Sequence, residues 1–373
     1  MTGHTDAEYL ARAIKLAARG LYTTDPNPRV GCVLVKDDRV IGEGWHERAG
    51  SAHAERIALA HAGSAAADAT AYVTLEPCNF IGETGSCAAA LIEAGIARVV
   101  CPGIDPNPKV AGSGIASLRD AGVKVDLDIV NDAAAALNPG FFSRMTRGRP
   151  LVRSKLAVSL DGRTALANGQ SQWITGAAAR ADAHRWRARS SVIMTGIGTV
   201  LTDDPSLDAR LEEPAPAVIQ PARVVVDSKL QTPPDARLLS KPGEVLIFTN
   251  QAESSAGGHL LAQGATIERV GGSRHCDLAQ VLERLAELQF NEVWVEAGAG
   301  LNGALIREGL IDELVIYMAP QLLGATAMGM FAIDSLVSLE QRISLEYQDV
   351  RRIGDDLRII ARPSTVAGPL TER

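Results

Sequence analysis

Residues 51–59, SAHAERIAL, and residues 74–91, TLEPCNFIGETGSCAAAL, decide how this chain is read. The first stretch sets His53 two residues before Glu55, at a predicted helix start. The second runs as a strand into Pro77 and Cys78, then meets Cys87 at the next predicted helix start. One imidazole and two thiolates form a good tetrahedral set for Zn2+. Three protein ligands leave a fourth position for water, whose pKa zinc lowers toward neutrality. Glu55 stands beside such a metal without being a ligand, where a proton carrier is needed. A closed structural zinc site with a fourth protein ligand is the competing reading.

Working outward, strands and helices alternate. Thr5 and Glu8 have capping-box spacing, and Leu10, Ile14, Ala17 and Leu21 share a face. The N-terminal segment therefore reads as an amphipathic helix and not as a signal peptide. RVGCVLVKDDRVIGEGWH (29–46) predicts two short strands joined by a polar turn at Asp37 and Asp38. HAERIALAHAG (53–63) has helical spacing and ends in Gly63, and ATAYVTLEPC (69–78) predicts a strand. Helix, strand, helix and strand follow in CAAALIEAGI (87–96), ARVVCPGI (97–104), GIASLRDAG (114–122) and VKVDLDIV (123–130). Strands separated by helices imply an α/β sheet with helices on its faces.

Residues 131–150, with NPGFFSRMTRGRP (138–150), read as basic and loop-forming, so a domain boundary is expected near Gly148. This predicts domains over 1–147 and 148–373. LVRSKLAVSLDGRT (151–164) opens a second αβ series, continued by ARVVVD, EVLIFTN, NEVWVEAG and DELVIYMAPQ. PAPAVIQP (214–221) reads as a surface connection and the last ten residues as a frayed tail.

A length of 373 residues suits two domains, each with its own core. The net charge of −7, the absence of a basic run and an aromatic content of 4% argue against nucleic-acid binding. No apolar run is long enough for a membrane helix. Five Cys, an odd number in a long chain, point to a reducing, cytoplasmic setting. Cys32, Cys101 and Cys276 read as small core residues.

In the second half, NEVWVEAGAGLNGALIREG (291–309) is a strand, then Gly298, Gly300 and Gly303 in GxGxxG spacing, then a helix. Such a turn can bring backbone N–H groups to a pyrophosphate, but taken alone in a Gly-rich chain the packing turn is the favoured reading. No acidic residue about twenty positions on supports an ordinary dinucleotide fold.

The longer motifs carry a resemblance. TDPNPRVGCVLV, GEGWHERAGSAHAE, AYVTLEPC and DPNPKVAGSG in the first half are similar to the bacterial bifunctional riboflavin-biosynthesis deaminase/reductase family. So are SKLAVSLDGRTA, SQWITG, HRWRARSSVIMTGIGTVLTDDPSLDAR and EAGAGLNGALIREGLIDEL in the second, with the resemblance running from about Ala13 to about Gly329. It implies an N-terminal domain of cytidine-deaminase fold and a C-terminal domain of dihydrofolate-reductase-like fold. The first would deaminate a diaminopyrimidinone ribosylamine phosphate using Zn2+, and the second would reduce its ribosyl group with NADPH. Carried over by position, His53, Cys78 and Cys87 would hold the metal and Glu55 would shuttle the proton. Asn27 and His46 would line the pyrimidine pocket, with Asp105 and Asn107 near the sugar phosphate. Gly298, Gly300, Gly303, Ala157, Trp173, Thr199 and Asp203 would approach the cofactor. Ser171, Arg187, Leu207, Arg210 and Glu296 would contact the reductase substrate. A homo-oligomer acting on a small pyrimidine nucleotide-like substrate is implied.

One loop departs from the family pattern C-x-H-x-G-[KR]-T-P-P-C. Here CNFIGETGSC has Phe80 for the His, Glu83 for the basic residue and Gly85-Ser86 for the Pro pair. The family's basic residue helps hold the substrate phosphate, so a carboxylate there is expected to weaken that contact. Two rival readings follow: a specialised paralogue in a related pathway such as toxoflavin-like azapteridine synthesis, or a zinc-stapled, non-catalytic first domain on a working reductase.

Overall fold

A computed structural model describes residues 5–79, 85–127, 131–212, 217–251 and 255–364. Phe80, Glu83 and the expected C-terminal tail beyond Ser364 lie outside the described residues. The chain divides into two compact units, Met1–Arg149 and Pro150–Arg373.

The first unit begins with α1 (Asp6–Ala17), whose N-cap Thr5 and Glu8 form the expected reciprocal capping box. Strands β1 (Gly31–Lys36) and β2 (Arg39–Trp45) pair antiparallel across Asp37 and Asp38. Both turn residues have positive φ, 52° and 58°. That is the two-residue hairpin geometry which aspartate tolerates better than most residues. α2 (Ala54–Ala62) follows, then β3 (Thr70–Val73), α3 (Cys87–Glu93), β4 (Arg98–Val100), α4 (Ser113–Asp120) and β5 (Lys124–Asp126). The sheet order is β2-β1-β3-β4-β5, antiparallel through β3 and parallel beyond it. A core including Leu34, Val73, Leu91, Val99 and Leu118 accompanies α2, α3 and α4, while Leu10, Ala13 and Leu16 of α1 pack with Val33 and Tyr72. β3 is shorter than the sequence implied and ends at Val73.

Residues 131–147 correct the loop expectation: they form α5 (Asn131–Ala135) and α6 (Pro139–Arg147). Pro139 is the first residue of α6, where a missing N–H costs nothing, and Gly148 closes the helix at φ 68°. Asn138 anchors it: its Oδ1 accepts Arg29 N–H at 2.8 Å and its Nδ2 donates to Arg29 O at 3.0 Å.

The second unit contains β6 (Leu151–Ser159), β7 (Arg163–Ala165), α7 (Ala177–Arg189), β8 (Val192–Gly196), α8 (Ile197–Asp203), β9 (Ala222–Val226) and β10 (Val245–Thr249). It continues with α9 (Ser255–Ala262), β11 (Thr266–Arg269), α10 (Leu278–Glu287), β12 (Glu292–Val295), α11 (Ala299–Arg307) and β13 (Glu313–Ala319). β14 (Met328–Gly329), β15 (Leu345–Ile353) and β16 (Asp356–Pro363) complete it. The main sheet runs β11-β10-β9-β8-β12-β6-β13-β16-β15. The seven strands from β11 to β13 in that order are mutually parallel, and β16 and β15 add antiparallel. Buried strands such as VVV of β9 and LIF of β10 are apolar on both faces, as a sheet covered on both sides requires. β12 lies between β6 and β8 although it follows both in sequence, so the strand order reverses there. In open α/β sheets such a reversal opens a crevice at the carboxyl ends of the strands.

Candidate active sites

In the first unit, α2 packs so tightly on β2 that a Cβ on Gly44 would stand 2.4 Å from the Ala54 carbonyl oxygen. This close approach places the start of α2. His53 is its N-cap residue, and its side chain makes no capping bond. The ring turns instead to sulfur: Nδ1 lies 3.2 Å from Cys87 Sγ and 3.6 Å from Cys78 Sγ. All three donor atoms fall within 4.8 Å of one another. Ordinary zinc bond lengths in a tetrahedron separate such donors by about 3.5–3.8 Å, so the triangle fits a zinc ion. Among the described residues, Cys101 is buried and no part of this cluster, so it supplies no fourth ligand. Ser86 caps α3 through the Ala89 N–H at 3.0 Å and so fixes Cys87 in its first turn. Cys78 ionises readily, held well below the usual thiol range by Cys87 and, against burial, by His53. That is the form a metal binds.

Glu55 sits in the first turn of α2, 3% exposed. Burial raises its pKa, which suits a carboxyl that must both take and return a proton near neutral pH. His46 is buried and kept neutral, its pKa lowered chiefly by burial. Its Nδ1 bonds Ala52 O at 3.2 Å, and its Nε2 accepts from Asn27 Nδ2 at 3.1 Å. The two expected pocket residues are thus locked together, with the Asn27 amide oriented by the ring.

Glu76 went unrecognised in the sequence. Its carboxylate accepts four backbone N–H groups: Asp105 and Gly112 at 2.9 Å on one oxygen, Gly114 at 2.9 Å and Ile115 at 3.2 Å on the other. This ties the Pro77-Cys78 strand end to the DPNPKVAGSG loop that carries Asp105 and Asn107. Gly114 lets the two chains meet, since a Cβ there would stand 1.8 Å from Pro77 O. Asp105 is 5% exposed and accepts the Asn107 N–H at 2.7 Å. It therefore shapes the turn, and burial above all raises its pKa to about 6. An acid directly before Pro-Cys, in an otherwise apolar strand end, was the available signal for Glu76.

In the second unit, the strand-order reversal is lined by two helix starts. Gly196 caps α8 and Gly298 caps α11, directly after β8 and β12. Nothing lies within 4 Å of where a Cβ on Gly198, Gly298 or Gly300 would be, so the backbone there is open to a ligand. Gly303 differs from expectation: it is buried, and a Cβ would stand 2.3 Å from Ala332 O, so it is a packing glycine. Asn302 pins the start of α11 by accepting from Ser154 Oγ and donating to Ala297 O, each at 2.8 Å. Of the other expected cofactor residues, Thr199 lies in α8, Asp203 ends it, Ala157 is partly exposed on β6, and Trp173 is 71% exposed with Arg180 4.6 Å over its ring.

The expected substrate contacts Arg187 and Glu296 are paired with each other. Arg187 Nε and Nη2 grip the Glu296 carboxylate at 2.6 and 2.8 Å, and Nη1 donates to Asp208 O at 2.9 Å. Trp294 Nε1 donates to Glu296 at 2.7 Å. Burial pushes Glu296 up, but Arg187 outweighs it and holds the carboxyl far below its usual range. Arg187 is therefore occupied in fixing Glu296. Leu207, at φ 49°, buries its side chain in the core and leaves only backbone for a ligand. Arg210 is exposed near Asp208, and Ser171 is partly exposed. His184, also missed, accepts the Arg210 N–H on Nδ1 at 3.2 Å.

Comparison with known proteins assigns the two halves of the chain. Residues 4–102 match the cytidine and deoxycytidylate deaminase zinc-binding region, and residues 150–359 match the RibD C-terminal domain. The chain is 45% identical to the riboflavin biosynthesis protein RibD of Escherichia coli, over 94% of this chain and 98% of that one. It is 43% identical to the RibD of Haemophilus influenzae, over 97% and 98%. Among solved structures it matches Acinetobacter baumannii RibD with TM-score 0.90 at 44% identity, covering 96% of this chain and 99% of that one. It also matches a diaminohydroxyphosphoribosylaminopyrimidine deaminase/5-amino-6-(5-phosphoribosylamino)uracil reductase from Thermotoga maritima, with TM-score 0.85 at 31% identity over 96% and 99%. The first unit is thus cytidine-deaminase-like and the second dihydrofolate-reductase-like, and no described helix is long and apolar enough to cross a membrane. With two matching domains in one order and near-complete overlap, the chain belongs to the bacterial RibD family of bifunctional deaminase/reductase proteins of riboflavin biosynthesis.

Proposed function

We propose that residues 1–147 form a zinc-dependent deaminase and residues 148–373 an NADPH-dependent reductase acting in sequence on one intermediate. The first would convert 2,5-diamino-6-ribosylamino-4(3H)-pyrimidinone 5′-phosphate to its 2-oxo form with release of ammonia. The second would reduce the ribosyl group of that product to ribityl. The observation that carries the reading is the His53, Cys78, Cys87 triangle with Glu55 buried two residues on, in the first turn of the same helix.

His53, Cys78 and Cys87 would hold the metal. Zinc, when bound, makes a water acidic enough to attack near neutral pH. Glu55 would carry a proton from the attacking water to the departing amine, a double task that its raised pKa supports. Asn27, oriented by His46, presents an amide to the pyrimidine edge. In the second unit, Gly298 and Gly300 offer open backbone at the α11 N-terminus for a pyrophosphate. NADPH, when bound, supplies hydride to C1′ of the opened, imine-like sugar. Glu296, held ionised by Arg187 and bonded by Trp294, keeps a fixed orientation after β12.

The test is incubation of pure protein with the diaminopyrimidinone phosphate. Ammonia release without NADPH, followed by NADPH oxidation when it is added, is expected. NADPH oxidation without prior ammonia release would reverse the order of steps, and neither signal would remove the reading. The Glu83 substitution favours a second reading, in which the first domain takes a different or unphosphorylated pyrimidine.

A further inference from the structure

Arg56 follows Glu55 on α2 and has no part in the chemistry described above. Its guanidinium lies against the segment that leads into the metal ligand Cys87. Nη2 donates to Ser86 O at 3.3 Å, a long bond and the one hydrogen bond it makes among the described residues. Its Nε is buried with no hydrogen-bond partner. No described carboxylate lies within ion-pair distance of it, whereas several other arginines of this unit are occupied. Arg98 is bound by Asp6 and Asp126, Arg12 by Glu43, and Arg29 by the carbonyls of Leu137 and Leu21. Gly85 makes the room, since a Cβ there would stand 2.7 Å from Nη2.

A partly desolvated guanidinium with donors to spare and no counter-charge among the described residues is suited to an anion. The substrate class of the deaminase reading supplies one in its 5′-phosphate. From this we infer that Arg56 binds the substrate phosphate in the first unit and sets its preference for phosphorylated pyrimidines. The assignment rests on that deaminase reading. On this reading the cation that meets the phosphate comes from α2 and does not depend on a basic residue at position 83.

The test compares wild type, Arg56→Met and Arg56→Lys on the phosphorylated pyrimidinone and its dephosphorylated form, by ammonia release in the full chain. Met keeps the packing of the stem and removes the charge. Loss of a charge-assisted contact predicts a rise in KM for the phosphorylated compound on the order of 10- to 100-fold. KM for the dephosphorylated compound should stay within about twofold, at unchanged zinc content by metal analysis, and Lys should restore part of the loss. Equal losses on both compounds, loss of zinc in Arg56→Met, or unchanged kinetics on both would overturn the assignment while leaving the deaminase intact. If wild type deaminates neither compound, the deaminase reading itself falls and takes this one with it.

Discussion

Glu55 and His184 show opposite uses of burial at the scale of one residue. Burial raises the Glu55 carboxyl and makes it a better proton carrier. Glu55→Gln keeps the shape, so metal analysis should find zinc retained, while ammonia release falls by about 10²–10⁴-fold. Near-normal turnover in that variant would remove Glu55 from the mechanism. His184 is pushed down to about 4, first by burial and then by Arg187 and Arg210. Its unfolded value is about 6.5. Between those two pH values the unfolded chain binds more protons at this position than the folded one, so His184 makes stability rise with pH across that window. Asp105, raised to about 6, acts with the opposite sign over part of it, so the informative quantity is the difference from wild type. His184→Gln should flatten the rise in urea midpoint between pH 5 and pH 7. An unchanged slope would show that His184 does not titrate as its surroundings imply.

Elements are held to their sites by polar residues whose partners are far away in sequence. Glu76 reaches the start of α4, whose N–H groups have no partner inside the helix, and satisfies them with one carboxylate. Glu76→Gln turns one acceptor oxygen into a donor that faces N–H groups. Two orphaned N–H groups at about 1–3 kcal/mol each predict a loss of about 2–6 kcal/mol, measurable by urea unfolding. Because the loop carries Asp105 and Asn107, KM for the pyrimidine should rise with zinc still bound. A variant as stable as wild type would reduce Glu76 to a surface contact. Most elements of the first unit were legible: the α1 capping box, the Asp37-Asp38 turn and the α2 periodicity are local signals. The α5–α6 region was not, because Asn, Pro and Gly there read as loop formers, although Pro139 at a helix start and Gly148 at its end are ordinary helix punctuation. β15 was missed because most of its residues are exposed and its apolar residues never stand side by side, leaving no apolar run to mark it.

The whole molecule carries two units, each with its own buried clusters around its own sheet. If the metal serves only the first, chelation of zinc from the full chain should abolish ammonia release and leave NADPH binding, followed by fluorescence titration, unchanged within about twofold in Kd. Loss of both together would tie the cofactor site to the metal. The sequence by itself determined the family, the order of the two folds and the identity of His53, Cys78 and Cys87 as one set. It could do so because long motifs and ligand spacing are properties of residues near one another in the chain. Only the tertiary structure decided that Arg187 is held by Glu296, that Gly303 packs instead of facing a ligand, and that Glu76 fastens the Asp105 loop. Those contacts join residues 109, 29 and 29 positions apart, in the order named. A partner at such a distance is chosen by the packing of strands and helices in space, which no local pattern of side chains records.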